Sequence, residues 1–554
     1  MEIKVKLGAG FMKSNFGKVM FMIFFSIIIS MGIQTKEVFS YSEDKNYKED
    51  IVLKNLTEEE KLEDFNYLTN IFLENYPYFN SAEKKTSFIW KENIDLFKKA
   101  IKNTNSNTEF YDVLNKILNT LQNIHTNIIS PDYIKHLTNN YNNSSFKVWK
   151  NILNNQSVVK KNEQWQQLLK SKSDNSYETI PVSFYYVEGK YLAYDLGDIP
   201  CNVFGVNKGD ELLEVNGIKI DNYVKGLIDK SILKYDYIRK KNYIDYLTFK
   251  ESDKFTLKLK IKSINKVKEL NIESGFYKEN KYQLSGTNFK ENVYTEKINS
   301  DIAYMAIQSF DYSRVEKDNK IIRSFLEEVK NYKNLIIDIR GNGGGSDSYW
   351  IENIVKPLIL EPIKFEYKCI YKNGDYIKPF IEDRLGIKAQ WLKNKNYKYI
   401  DKNLKEIFNN LEDDFYNYND FKIEINPEKN NINFKGKIYL LVNEEVYSSA
   451  ENFSVFCKSN NFATLVGTTT GGDGIGMDPA LVSLPNSGLV IRFPLELGIA
   501  PDNTINEETH TFPNIYIEEK EENFIKKLDW EKNKNEDTLS KYDNTLNVLI
   551  NICK

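Results

Sequence analysis

The chain has 554 residues, too many for one ordinary hydrophobic core, since domains cluster near roughly 100–150 residues. Hydrophobic residues at 41% against 28% charged exclude a mainly disordered chain and give a soluble globular class. Lys plus Arg (75) nearly balance Asp plus Glu (78), so no global field would draw the protein to nucleic acid or to an anionic membrane.

At the N-terminus, Lys4, Lys6, Lys13 and Lys18 precede an apolar run over 19–33, followed by Val38-Phe39-Ser40. That order is a secretory signal, with cleavage expected after Ser40 or Ser42. The run is 15 residues, short of the ~20 that span a bilayer as a helix. The expected location is therefore secreted or extracytoplasmic, with membrane attachment only if the segment stays uncleaved.

From 58 to 121 the pattern is helical, clearest where Phe110, Val113, Leu114, Ile117, Leu118 and Leu121 recur at three- and four-residue steps. It runs directly into Asn123-Ile124-His125-Thr126. An Asn-rich stretch over 139–156 reads as surface loop or loosely packed helix. Short β-rich runs over 182–187 and 255–261 flank a segment in which Gly205 and Gly217 bracket a strand.

After Asp301 the pattern becomes alternating: strand 302–307, helix near 320–329, strand 335–339, then Gly341-Asn342-Gly343-Gly344-Gly345 and another helix. A later round has strand 438–442, a helix from Ser449 and strand 464–467, the alternation of a layered α/β domain. Residues 518–554 read as a charged helical tail. The expected division is a signal over 1–42, a helical domain over 43–175, a β-rich module over 176–270, a core over 271–525 and a tail over 526–554.

Cys201, Cys369, Cys457 and Cys553 lie far apart without C-x-x-C spacing and read as free or buried. No His/Cys/Asp cluster has metal-ligand spacing, so no metal or cofactor is expected.

An apolar strand running into the cluster Gly341 to Gly345 at a helix start lets backbone N–H groups face an anion. The run fits neither G-x-G-x-x-G, since Ser346 falls where the last glycine belongs, nor G-K-[ST]. An oxyanion hole for acyl transfer fits better than a phosphate site, and a permissive tight turn is the plainer alternative. Ser448-Ser449-Ala450-Glu451 also reads two ways: Ser-x-x-Glu before a helix is a capping box, while a serine on a strand-to-helix turn is well exposed as a nucleophile. Of the three histidines, His125, His136 and His510, His125 at a helix end is the candidate base, although such a lone His is ordinarily structural.

Asp338-Ile339-Arg340-Gly341-Asn342-Gly343-Gly344, Ser448-Ser449-Ala450-Glu451 and Gly467-Thr468-Thr469-Thr470-Gly471-Gly472 occur in the order seen in the C-terminal processing and tricorn-type serine peptidases, which the chain resembles over 62–519. The resemblance implies an α/β fold with a ClpP/crotonase-like core of ββα units, an N-terminal helical domain and a PDZ-like module around Gly205 to Gly217. It implies Ser448 as nucleophile and an oxyanion hole from the N–H groups of Ser449 and Gly344, with Gly343 as the alternative donor. A Ser-Lys branch would place its lysine near Asp473, but no lysine lies between Lys458 and Glu507.

The Ser-His-Glu branch is the better match. It implies His125 as base and Glu507 as the residue that orients it, with Glu508 as competitor and Pro513 following as in the family's ending. The chain departs from the family at Asn123-Ile124, where Asp-Gly is usual, and at Asn514. Protein or peptide substrates are the implied partners. Two other readings share the fold: a peptide-binding protein with a decayed site, and an acyl-CoA enzyme of crotonase type, against which secretion argues.

Overall fold

The computed structural model describes residues 53–172, 178–251, 253–264, 266–279, 289–386, 415–533 and 537–554, so the expected signal lies outside the described residues. At its centre a six-stranded sheet runs in the order Val293–Lys297, Ile302–Ile307, Asn334–Asp338, Lys437–Val442, Thr464–Gly467, Ile515–Tyr516. The first pair is antiparallel and every later pair is parallel. Successive side chains of a strand face opposite sides, and here both sides are covered. Ala303, Met305, Ile307, Leu335 and Ile337 join the large core, while Ile302, Tyr304, Ala306 and Ile336 join a second cluster. Burial on both faces explains why these strands read as unbroken apolar runs.

Leu546 and Leu549, on the helix Asn544–Ile552, complete that second cluster. The segment that reads as a charged tail is therefore partly core. Its other helix, Glu521–Asn533, sets Phe524 and Leu528 against Tyr185 and Leu192 of the β-rich module.

The parallel strands end at one edge of the sheet, where ligands gather in open α/β folds. The glycine run follows Asn334–Asp338, Ser448 follows Lys437–Val442, and the loop from Thr468 to Gly474 follows Thr464–Gly467.

The N-terminal helices pack against the far side of the core. Thr57 starts the helix Glu58–Asn75 with a full capping box to Glu60. The stretch expected as loop or loose helix over 139–156 is mostly helix, in Pro131–Asn142, Lys147–Leu153 and Gln156–Lys172. Tyr141, Trp149 and Leu153 are buried there, so an aromatic stripe holds helices whose outer faces are asparagine-rich. Trp149 Nε1 donates to the Pro479 carbonyl at 2.8 Å, Trp165 Nε1 to that of Ser487 at 3.0 Å, and Asp64 accepts the N–H groups of Asn486 and Ser487. The short strand Asn127–Ile128 then pairs antiparallel with Val490–Phe493.

The β-rich module has its own sheet, in the order Lys266–Glu273, Thr256–Ser263, Glu211–Val215, Lys190–Asp195, Val182–Val187, Tyr246–Leu247, and its own core around Phe184, Leu212 and Leu259. Gly205 and Gly217 turn at φ 79° and 80°, a conformation open to glycine at no steric cost. The module is held to the helical domain by Asn119, whose Nδ2 donates to the Asp229 carbonyl at 3.0 Å, and above all by Gln122. Gln122 Nε2 donates to the carbonyls of Ile228 and Ser231, each at 2.9 Å, and its Oε1 accepts Leu233 N–H at 2.7 Å. All four cysteines are unpaired.

Candidate active site

Ser448 sits between the strand Lys437–Val442 and the helix Ser449–Ser459 with φ 57° and ψ −128°, and its side chain caps nothing. The capping reading of Ser-x-x-Glu thus gives way to a strained backbone. A non-glycine residue at positive φ costs on the order of 1–3 kcal/mol and persists only where its surroundings impose it. Those surroundings are visible. Ser449 Oγ donates to Asp347 Oδ1 at 2.6 Å, Asn452 Nδ2 to Asp347 Oδ2 at 2.7 Å, and Trp350 Nε1 to the same carboxylate. The helix start is thereby tied to the segment that follows the glycine run. Glu451 turns away from the cap and accepts from Asn506 and Thr511.

Gly344, at φ 101°, lies directly against the turn. A Cβ there would come within 2.9 Å of Ser448 Cβ and 2.8 Å of the Ser449 nitrogen, so no other residue fits. Its N–H, expected as an oxyanion donor, is already donated to Asn342 Oδ1 at 2.9 Å. The N–H of Gly343 has no acceptor among the described residues. Ser449 N–H, at the first helical position, has no acceptor within its helix.

His125 arrives from the other side, two residues ahead of Asn127–Ile128. Its Nδ1 meets Asp473 Oδ2 at 2.8 Å, and its ring packs on Tyr447 at 4.8 Å between centroids. Asp473 Oδ2 also accepts from Asn123 Nδ2 and Tyr447 Oη, each at 2.9 Å, and Oδ1 accepts from Tyr78 Oη at 3.0 Å. Burial raises the Asp473 carboxyl, but His125 and these donors outweigh it and hold it below the ordinary carboxylate value. Burial pushes His125 below its ordinary value, with Asp473 only partly opposing. The imidazole is therefore neutral at pH 7, its Nδ1 proton faces the carboxylate, and His125, Asp473 and Ser448 line one small cavity.

Glu507, expected to orient His125, stands one residue further out. Burial first, then the charge of Asp473, drives its carboxyl far up, while Lys85 and a hydrogen bond with Asn123 oppose. The partner on His125 Nδ1 is instead Asp473, because the glycines on either side let the chain turn that carboxylate to the ring at φ 47°. Glu508 is occupied elsewhere, bridged to Lys84 at 2.9 Å and accepting from Ser81. His136 is exposed beside Asn140, and His510 is bonded through Nδ1 to the Thr470 carbonyl and pushed by burial to about 4. Sequence reading passed over Asp473, Tyr78 and Tyr447 as functional residues. The one available signal was an acidic residue set among Gly471, Gly472 and Gly474. Among the described residues no group of three or more His, Cys, Asp or Glu converges as a metal site, and no helix is long and apolar enough to cross a membrane.

Residues 301–517 match the model of peptidase family S41. No curated protein matches the chain. Its fold is similar to the crystal structure of mature CPAF, at 14% identity and a TM-score of 0.51 over 87% of this chain and 99% of that one. Mature CPAF complexed with lactacystin matches at 13% and 0.50 over 85% and 97%. At such identities the likeness is one of fold, and it takes in the helical and β-rich parts as well as the matched segment. The matched segment, which holds the glycine run and Ser448, carries the signature of peptidase family S41, a family of serine-type peptidases.

Proposed function

We propose that the protein is a secreted or cell-surface endopeptidase in which Ser448 attacks the peptide carbonyl and His125 takes its proton. The observation that carries this reading is the buried His125 to Asp473 bond at 2.8 Å on the cavity that Ser448 lines. A neutral imidazole whose Nδ1 proton is held by a carboxylate keeps its Nε2 lone pair for a hydroxyl. The tetrahedral oxyanion is held by the N–H groups of Ser449 and Gly343, both without internal acceptors, rather than by Gly344, whose donor is spent on Asn342. His125 then protonates the leaving amine, and water hydrolyses the acyl-enzyme by the same base.

Asp473 orients His125 in this scheme, and Glu507 acts behind it through Asn123. The core takes the ClpP/crotonase-like role and the β-rich module the PDZ-like one, adding an extended peptide as a strand. The apolar segment over 19–33 serves as the export signal.

Casein cleavage by protein lacking residues 1–42, run beside Ser448→Ala and His125→Ala, tests the reading. Cleavage should be lost in both variants with folding intact. An inactive wild type that also fails to label with a fluorophosphonate would leave a peptide-binding protein on the same fold.

A further inference from the structure

Beside Ser448 and His125 the cavity wall contains Gly476, Pro479, Pro494 and Glu496. Glu496 is only 3% exposed. Its Oε1 accepts the Met477 N–H, and its Oε2 has no partner among the described residues. The contact at Gly476 is close: a Cβ there would lie 2.6 Å from Glu496 Oε1, so glycine makes room for the carboxyl.

A buried carboxyl with one unbonded oxygen is a poor structural element. Leaving such a group unsatisfied costs on the order of 1–3 kcal/mol, and a glutamine would hold the Met477 N–H equally well without the charge. Burial pushes the carboxyl up to about 8, the mark of an acid waiting for a counter-charge. The space is about 20 Å³, room for one water-sized group. A lysine ammonium, a compact point charge, matches the single unbonded oxygen of Glu496, whereas the planar fork of an arginine suits a carboxylate with both oxygens free.

Building on the peptidase reading above, we infer that Glu496 is a specificity-determining residue, forming an acidic subsite beside Ser448 that selects a lysine side chain at one of the two residues flanking the scissile bond. No covalent role is involved: the ammonium pairs with Oε2 and replaces the missing donor.

The test is cleavage-site profiling of a mixed peptide library by mass spectrometry, with wild type and Glu496→Gln. Wild type should favour lysine next to the cut by about 10-fold or more over leucine, and Glu496→Gln should erase that preference, the ratio of lysine to leucine cleavage within each enzyme being the readout. Cleavage without lysine enrichment in the wild type overturns the inference even if the glutamine variant fails to fold, as does a lysine preference that survives in Glu496→Gln. Fluorophosphonate labelling of Ser448 separates the two levels: labelling with no lysine preference removes this inference alone, whereas no labelling and no cleavage removes the peptidase reading with it.

Discussion

Two buried charge clusters in this molecule, both built on aspartate and tyrosine, differ in how fully their bonds are closed. Around Arg340 every strong bond is closed: Nε donates to Asp338 at 3.0 Å, Nη1 to Asp543 Oδ1 at 2.9 Å, and Nη2 to both carboxylates. Tyr304 Oη adds a donor to Asp338 at 2.8 Å. Burial works against the Arg340 charge, and the two aspartates outweigh it. Asp543 also caps the helix Asn544–Ile552, so the cluster clamps the end of the chain to the central sheet. Around His125 only Asp473 is satisfied in full, while one oxygen of Glu507 and one of Glu496 have no partner among the described residues. A closed cluster holds structure; an open one keeps capacity to bind, shift a proton or take a counter-charge.

That contrast is sharpest at Asp473. Asp473→Asn would break it most, because the amide offers His125 the wrong tautomer; kcat/KM should fall about 10³ to 10⁴-fold while thermal unfolding moves little. If Asp473→Asn keeps near-wild-type turnover while Glu507→Gln loses it, the orienting role belongs to Glu507. Arg340→Ala should do the reverse, costing about 3–5 kcal/mol of stability by leaving two carboxylates unpaired, with turnover per folded molecule retained. Denaturant unfolding read beside active-site titration decides this.

Glu507→Gln should cost only about tenfold in kcat/KM, as it reaches His125 through Asn123 and Asp473. The smallest effect concerns pH. His125 acts as a base only when neutral, and burial holds it below its ordinary 6.5. The acid limb of kcat/KM should therefore fall below pH 6.5, with activity flat from there through neutrality, and a limb above 6.5 would contradict the buried neutral imidazole.

Much of the Ser448 side of the candidate site was legible from sequence. The strands Ile302–Ile307 and Thr464–Gly467 fall where the apolar runs predict them, and the helix begins at Ser449 as expected. Even there the reading stopped short of the Gly344 N–H, because only the fold turns Asn342 back to accept it. Over 139–156 the sequence left loop and loosely packed helix open, and the tight helical packing was not legible because asparagine-rich outer faces mask a stripe of Tyr141, Trp149 and Leu153.

The alternation of elements, the glycine run, the serine turn and the candidate histidine can all be read without a fold, since each is written in neighbours along the chain. Which carboxylate meets His125 depends on long-range packing. Asp473 lies 348 positions away, and its selection over Glu507 and Glu508 depends on a left-handed turn between glycines and on three further donors, from Tyr78, Asn123 and Tyr447. Local pattern carries the position of a motif, whereas the partner of a buried charge is fixed by which groups the folded core leaves within reach.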